Sequence, residues 1–175
     1  SDLSRWAEEL RGWDVHILRI QHLIWFSPSQ FGRSMELLQR DLPGQAPELF
    51  RQEERSYMRD VLPAIDVAVL IEELRKLRAG NYPFRIELHP DLSLDDMARY
   101  YGDPEFRRED RLDCTTMESY AFVDPRGRLY PCITLDMGNV FDTPFPEIWN
   151  GPRLRAFRRL IRREHRLPLC HRCPD

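Results

Sequence analysis

Residues 114–132 read CTTMESYAFVDPRGRLYPC, and this stretch decides how the C-terminal part of the chain folds. Two β-rich runs are joined by Asp124-Pro125-Arg126-Gly127. Asp in the first place, Pro in the second and Gly in the fourth are the preferences of a type I turn, so the spacing predicts a β-hairpin. A cysteine stands at each end: Cys114 before the hairpin, and Cys132 closing its second strand.

The chain has four cysteines, and the other two lie in LPLCHRCPD, residues 167–175. Cys170 and Cys173 form a C-x-x-C, the spacing with which two thiolates grip one metal centre or form a redox pair. The segment before them, FPEIWNGPRLRAFRRLIRREH (145–165), reads as helix. Asn150 or Gly151 can start it, Pro152 suits its first turn, and Leu154, Phe157 and Ile161 share one face. A hairpin that brings Cys114 near Cys132, and a helix that returns Cys170 and Cys173 beside them, converge four thiolates. Four soft sulfur ligands suit zinc or an iron–sulfur cluster. With zinc, the unit is a non-catalytic structural module that staples hairpin to helix and binds a protein partner. A catalytic dithiol fits less well, because redox C-x-x-C motifs open a helix and this one follows a helix. Four unrelated core cysteines are the plain alternative.

Upstream, LSRWAEELRGW (3–13) has helical spacing stopped by Gly12, and VHILRIQHLIWF (15–26) reads as one long, buried strand. SPSQFGRSMELLQRDL (27–42) returns to helix with Ser29 as candidate N-cap, and the polar stretch 43–56 reads as loop or irregular helix. IDVAVLIEELRKLRAG (65–80) is a helix capped by Asp66 and closed by Gly80. FRIELHP (84–90) is a short strand, and SLDDMARYYGD (93–103) opens a helix at Ser93. Alternation of this kind predicts βα units about a parallel sheet, and two strands make neither a barrel nor a self-sufficient sheet. Residues 1–102 therefore read as part of something larger, in keeping with a first residue that is not Met.

Composition narrows the function. At 42% hydrophobic and 31% charged, with a formal charge of −3, the chain is ordinary for a soluble globular protein and is not a generally basic nucleic-acid binder. No apolar run approaches the ~20 residues of a membrane span, and four cysteines are too sparse for a disulfide scaffold. A cytoplasmic, reducing setting follows as the expectation.

Residues 114–173 resemble a SPASM domain, the auxiliary-cluster domain C-terminal to the barrel in many radical SAM enzymes. The resemblance is carried by Cys114, Gly127, RLYP (128–131) and Cys132, then GNV (138–140), the helix from Phe145 to Ile161, and CHRC (170–173). It implies an auxiliary [4Fe–4S] cluster held by Cys114, Cys132, Cys170 and Cys173. More loosely, residues 1–106 are similar to the closing βα units of a radical SAM partial barrel, with the SPASM-like domain over 107–175. The implied fold is thus α/β, a partial (β/α) barrel end followed by a small hairpin-plus-helix domain. The family's full pattern continues with further cysteines, and the C-x(3)-C-x(2)-C that cleaves S-adenosylmethionine is absent from this chain. The expectation is a C-terminal fragment of a radical SAM oxidoreductase that is not catalytically competent alone, S-adenosylmethionine belonging to the full-length parent. The expected partners are the missing N-terminal radical SAM half, a peptide substrate, and an electron-donor protein; no nucleic acid and no membrane are expected.

Four polar residues at strand ends are candidate substrate contacts: Gln21, His22, Glu87 and His89. Hydrogen-bonded core or rim roles are the bland alternative for them. His171 reads as a spacer between ligands, with Cys₃His as its sharper alternative. The arginines of 153–166 read first as a solvated helix face favoured by the macrodipole, and second as a docking face for an acidic peptide or electron donor.

Overall fold

Residues 2–43, 65–108, 114–132 and 135–173 are described by the computed structural model. They divide into two units by contact. The first comprises residues 2–24 and 65–106; the second comprises 25–43, 107–108, 114–132 and 135–173. A linear division at residue 106 differs from this in one place. The helix around residues 28–41 groups with the C-terminal segment, although both of its flanking strands belong to the first unit.

In the first unit, α1 (Leu3–Glu9) leads to β1 (Ile17–Gln21), and α3 (Val67–Ala79) leads to β2 (Arg85–His89) and α4 (Leu94–Gly102). The two strands pair in parallel, Arg19 opposite Glu87 and Gln21 opposite His89. Asp66 and Ser93 cap their helices by accepting from Val69 and Asp96 backbone N–H groups, as their sequence positions predict. The long strand expected over 15–26 is shorter, ending at Gln21. Trp25 and Phe26 are instead buried side chains that begin the second unit. The interior of the first unit is built from Ala7, Leu74, Leu77, Met97, Tyr100 and Tyr101. The element order agrees with βα units, and the sheet of this unit holds two strands among the described residues.

The second unit starts with α2 (Pro28–Asp41). Its cap is Ser27 rather than Ser29: Ser27 accepts from the Gln30 backbone while the Gln30 side chain accepts from the Ser27 N–H. This reciprocal pair satisfies two donors that a helix start leaves open. After a short helix, α5 (Thr116–Ser119), come β3 (Phe122–Val123), β4 (Arg128–Tyr130) and β5 (Gly138–Asn139) in one antiparallel sheet. The last helix starts where its sequence places it, with Gly151 as N-cap and Pro152 in the first turn, giving α7 (Pro152–Glu164); a short helix, α6 (Phe145–Trp149), precedes it. The core gathers Leu38 and Leu42 of the α2 end with Leu129, Leu154, Phe157 and Leu160.

The hairpin turn forms as its residues dictate. Gly127 N–H donates to the Asp124 carbonyl at 2.9 Å, and Asp124 Oδ1 accepts from the backbones of Arg126 and Arg128. Gly127 has φ +80°, and a Cβ there would lie 2.5 Å from Asn139 Oδ1 and from the Phe141 ring. Gly127→Ala is therefore expected to lose about 1–2 kcal/mol from backbone conformation alone, with the clash adding to it. A urea unfolding midpoint indistinguishable from wild type would show the turn to be built otherwise.

At their C-terminal ends α2 and α7 are joined by exposed ion pairs. Arg163 donates to both Asp41 oxygens at 2.8 and 2.7 Å, and Arg40 donates to Glu164 at 2.9 Å. The Arg163 guanidinium holds the Asp41 carboxyl down at about 2. No helix among the described residues is long and apolar enough to cross a membrane.

Candidate metal centre

Each cysteine is placed by a different piece of local structure. Cys114 stands two residues before α5. The segment after it is pinned to α7: Arg158 donates to the carbonyls of Met117 (2.9 Å) and Trp149 (2.8 Å) and lies 4.4 Å over the Trp149 ring. Cys132 follows β4 and makes an isolated antiparallel bridge with Leu135, whose N–H donates to the Cys132 carbonyl at 3.1 Å. Cys170 ends a 3₁₀ turn, Pro168–Cys170, and Cys173 N–H donates back to the Cys170 carbonyl at 3.0 Å. The C-x-x-C is thus one tight turn.

All four cysteines are free thiols, half-buried, and line one cavity of about 30 Å³. The rest of its wall is mainly apolar, with Met117, Leu135, Phe157, Ile161 and Leu169 among the lining side chains. Burial pushes the Cys170 thiol well above its ordinary value, and Cys132, Cys173 and Cys114 push it the same way. Four thiolates in such a cavity need a cation to balance them, so the donor set fits a bound metal group and its chemistry is that of soft sulfur. Among the described residues, no three Cys, His, Asp or Glu side chains are grouped as a single metal ion requires. One zinc ion takes sulfurs at about 2.3 Å from a common centre. A multi-iron cluster takes one thiolate per iron and spreads them more widely.

The C-x-x-C turn is buttressed by residues the cysteine spacing did not point to. Ser34 Oγ donates to the Gln30 carbonyl (2.7 Å) and accepts from Leu169 N–H (3.0 Å). Arg172, 1% exposed although it lies between two cysteines, donates to Gln30 Oε1 at 3.2 Å and stacks 3.6 Å over the Trp25 ring. A second buried arginine, Arg166, stands in the cavity wall. The sequence signal for Gln30 and Ser34 was two polar residues on the buried face of an amphipathic helix. His171 is half-buried and is not among the residues that line the cavity.

Of the strand-end candidates, Gln21 and His89 lie side by side in register. Glu87 is occupied by arginines: Arg19 donates to it at 3.0 and 2.8 Å, Arg85 stands 2.5 Å away, and the Arg19 contact holds its carboxyl below the usual range. Glu87 and His89 line a cavity of about 330 Å³ with Arg19, Arg78 and Asp91, whereas Gln21 and His22 are not among its lining residues. His22 is 4% exposed and packs on Tyr100 and Tyr101, with Nδ1 2.9 Å from the Tyr101 hydroxyl, and burial lowers its pKa.

No curated protein and no solved structure matches this chain. The thiol-lined cavity lies within residues 114–174, which match the model of the SPASM family, an iron-sulfur cluster-binding domain.

Proposed function

We propose that the second unit holds an auxiliary [4Fe–4S] cluster on Cys114, Cys132, Cys170 and Cys173, and that the chain is the C-terminal part of a radical SAM oxidoreductase. The observation that carries this reading is the meeting of four thiols, from three separate places in the sequence, at one largely apolar cavity. Bound there, such a cluster supplies one-electron transfer at a shielded site. The chain's own residues do the rest. Phe157 and Leu169 help wall the site, Arg158 fixes the segment after Cys114, and Ser34, Gln30 and Trp25 hold the C-x-x-C turn rigid.

The S-adenosylmethionine-cleaving motif has no counterpart in the chain, so the radical-generating half lies in another segment of the parent on this reading. Gln21, Glu87 and His89, on the paired strand ends of the first unit, are the proposed substrate contacts, and a peptide is the proposed substrate class.

Metal content of anaerobically purified protein tests the reading. About four irons and four sulfides per chain with a brown chromophore are expected for one cubane cluster. One zinc and no iron, persisting after attempted cluster reconstitution, would replace it with a structural zinc module.

A further inference from the structure

α7 ends at Glu164, and the next residue, His165, has φ 63° and ψ −49°. Arg166 N–H donates back to the Glu164 carbonyl at 2.7 Å. That bond over a left-handed central residue is a γ-turn of the rare, strained kind, in a residue that is not glycine. Its effect is on the side chain that follows. Had the helix continued, Arg166 would stack on the face of Arg162, four residues earlier, which is exposed. After the turn, Arg166 is 8% exposed and lines the same cavity as the four thiols. It is the one cationic side chain among the described residues of that wall.

We propose that Arg166 is a positioning cation for the iron–sulfur cluster, fixed by the His165 turn so as to favour loading of the cluster and raise its reduction potential. The inference rests on the cluster reading above. Four thiolates outweigh the charge of the iron–sulfide core, and each added electron deepens the imbalance. A fixed positive charge in a low-dielectric wall therefore stabilises the reduced form more than the oxidised one.

The test is a redox titration, by dithionite and electron paramagnetic resonance, of anaerobic wild type, Arg166→Gln and Arg166→Lys, with iron and sulfide measured on each. Loaded Arg166→Gln is expected to show a tenfold loss in the reduced-to-oxidised ratio at fixed potential. For a one-electron couple that is a downward shift of about 59 mV. Arg166→Lys, which keeps the charge, is expected to stay near wild type. An unmoved or raised potential in loaded Arg166→Gln, or an equal fall in Arg166→Lys, overturns the inference. Should Arg166→Gln fail to load, Arg166→Lys decides: loading at the wild-type potential supports the need for charge, and failure to load overturns it. A wild type that assembles no cluster overturns the cluster reading as well, which separates the two failures.

Discussion

On the proposed cluster reading, Cys132→Ser is expected to lower the iron content from about four per chain to less than one and to remove the visible absorbance. Serine is nearly isosteric with cysteine, so the hairpin can still close. Its hydroxyl does not ionise near neutral pH and is a hard oxygen where a soft thiolate is required. The effect should exceed one lost ligand, because metal binding and folding are coupled and the remaining thiols are left in a largely apolar cavity. Cys114→Ser, Cys170→Ser and Cys173→Ser should behave alike, whereas His171→Ala should keep its iron. Iron and sulfide assays on parallel anaerobic preparations check this. Unchanged iron in Cys132→Ser would remove that residue from the ligand set, and loss of iron in His171→Ala would bring the imidazole into it.

The second large effect belongs to Phe157. Its ring is 1% exposed, lies in the core of the second unit and forms part of the thiol cavity wall. Phe157→Ala removes that burial and leaves a void, a change that ordinarily costs ~3–5 kcal/mol. Against a typical total of about 5–15 kcal/mol, most of the margin goes. Urea unfolding of the variant beside wild type measures it. A loss under about 1 kcal/mol would mean that α7 can slide to fill the gap, a weaker packing than its buried stripe indicates.

The parts legible in the sequence are those governed by local chemistry. Asp124-Pro125-Arg126-Gly127 specified its turn, Asp66 and Ser93 their helix starts, and Pro152 the first turn of α7, because each acts on neighbours within four residues. The convergence of the cysteines was readable because one hairpin and one helix fix most of the distance between them. What was not readable depends on partners far along the chain. Trp25 and Phe26 continue an apolar run that reads as strand, yet the strand ends at Gln21 and both side chains are buried in the second unit. His22 reads as a strand-end polar group, yet tyrosines from α4 enclose it. Arg166 is one of several arginines in a helical stretch, and nothing in its type or spacing distinguishes it. Its role follows from a backbone angle at His165 that a sequence pattern does not encode.

The bond between Ser34 and Leu169 joins residues 135 apart in sequence. Closing a loop of that length costs more entropy than closing a hairpin, although the cost rises only slowly with length. The Leu169 N–H at the C-x-x-C turn therefore finds its Ser34 acceptor only once α2 is docked. Folding order thus bears on assembly. Cys114 and Cys132 are brought together by a hairpin within their own segment, while Cys170 and Cys173 follow α7 in a turn braced by a residue 135 positions away. On the proposed cluster reading, the hairpin alone offers a two-thiol site and all four thiols are present only once the C-x-x-C turn is in place, so iron would be taken up late in folding.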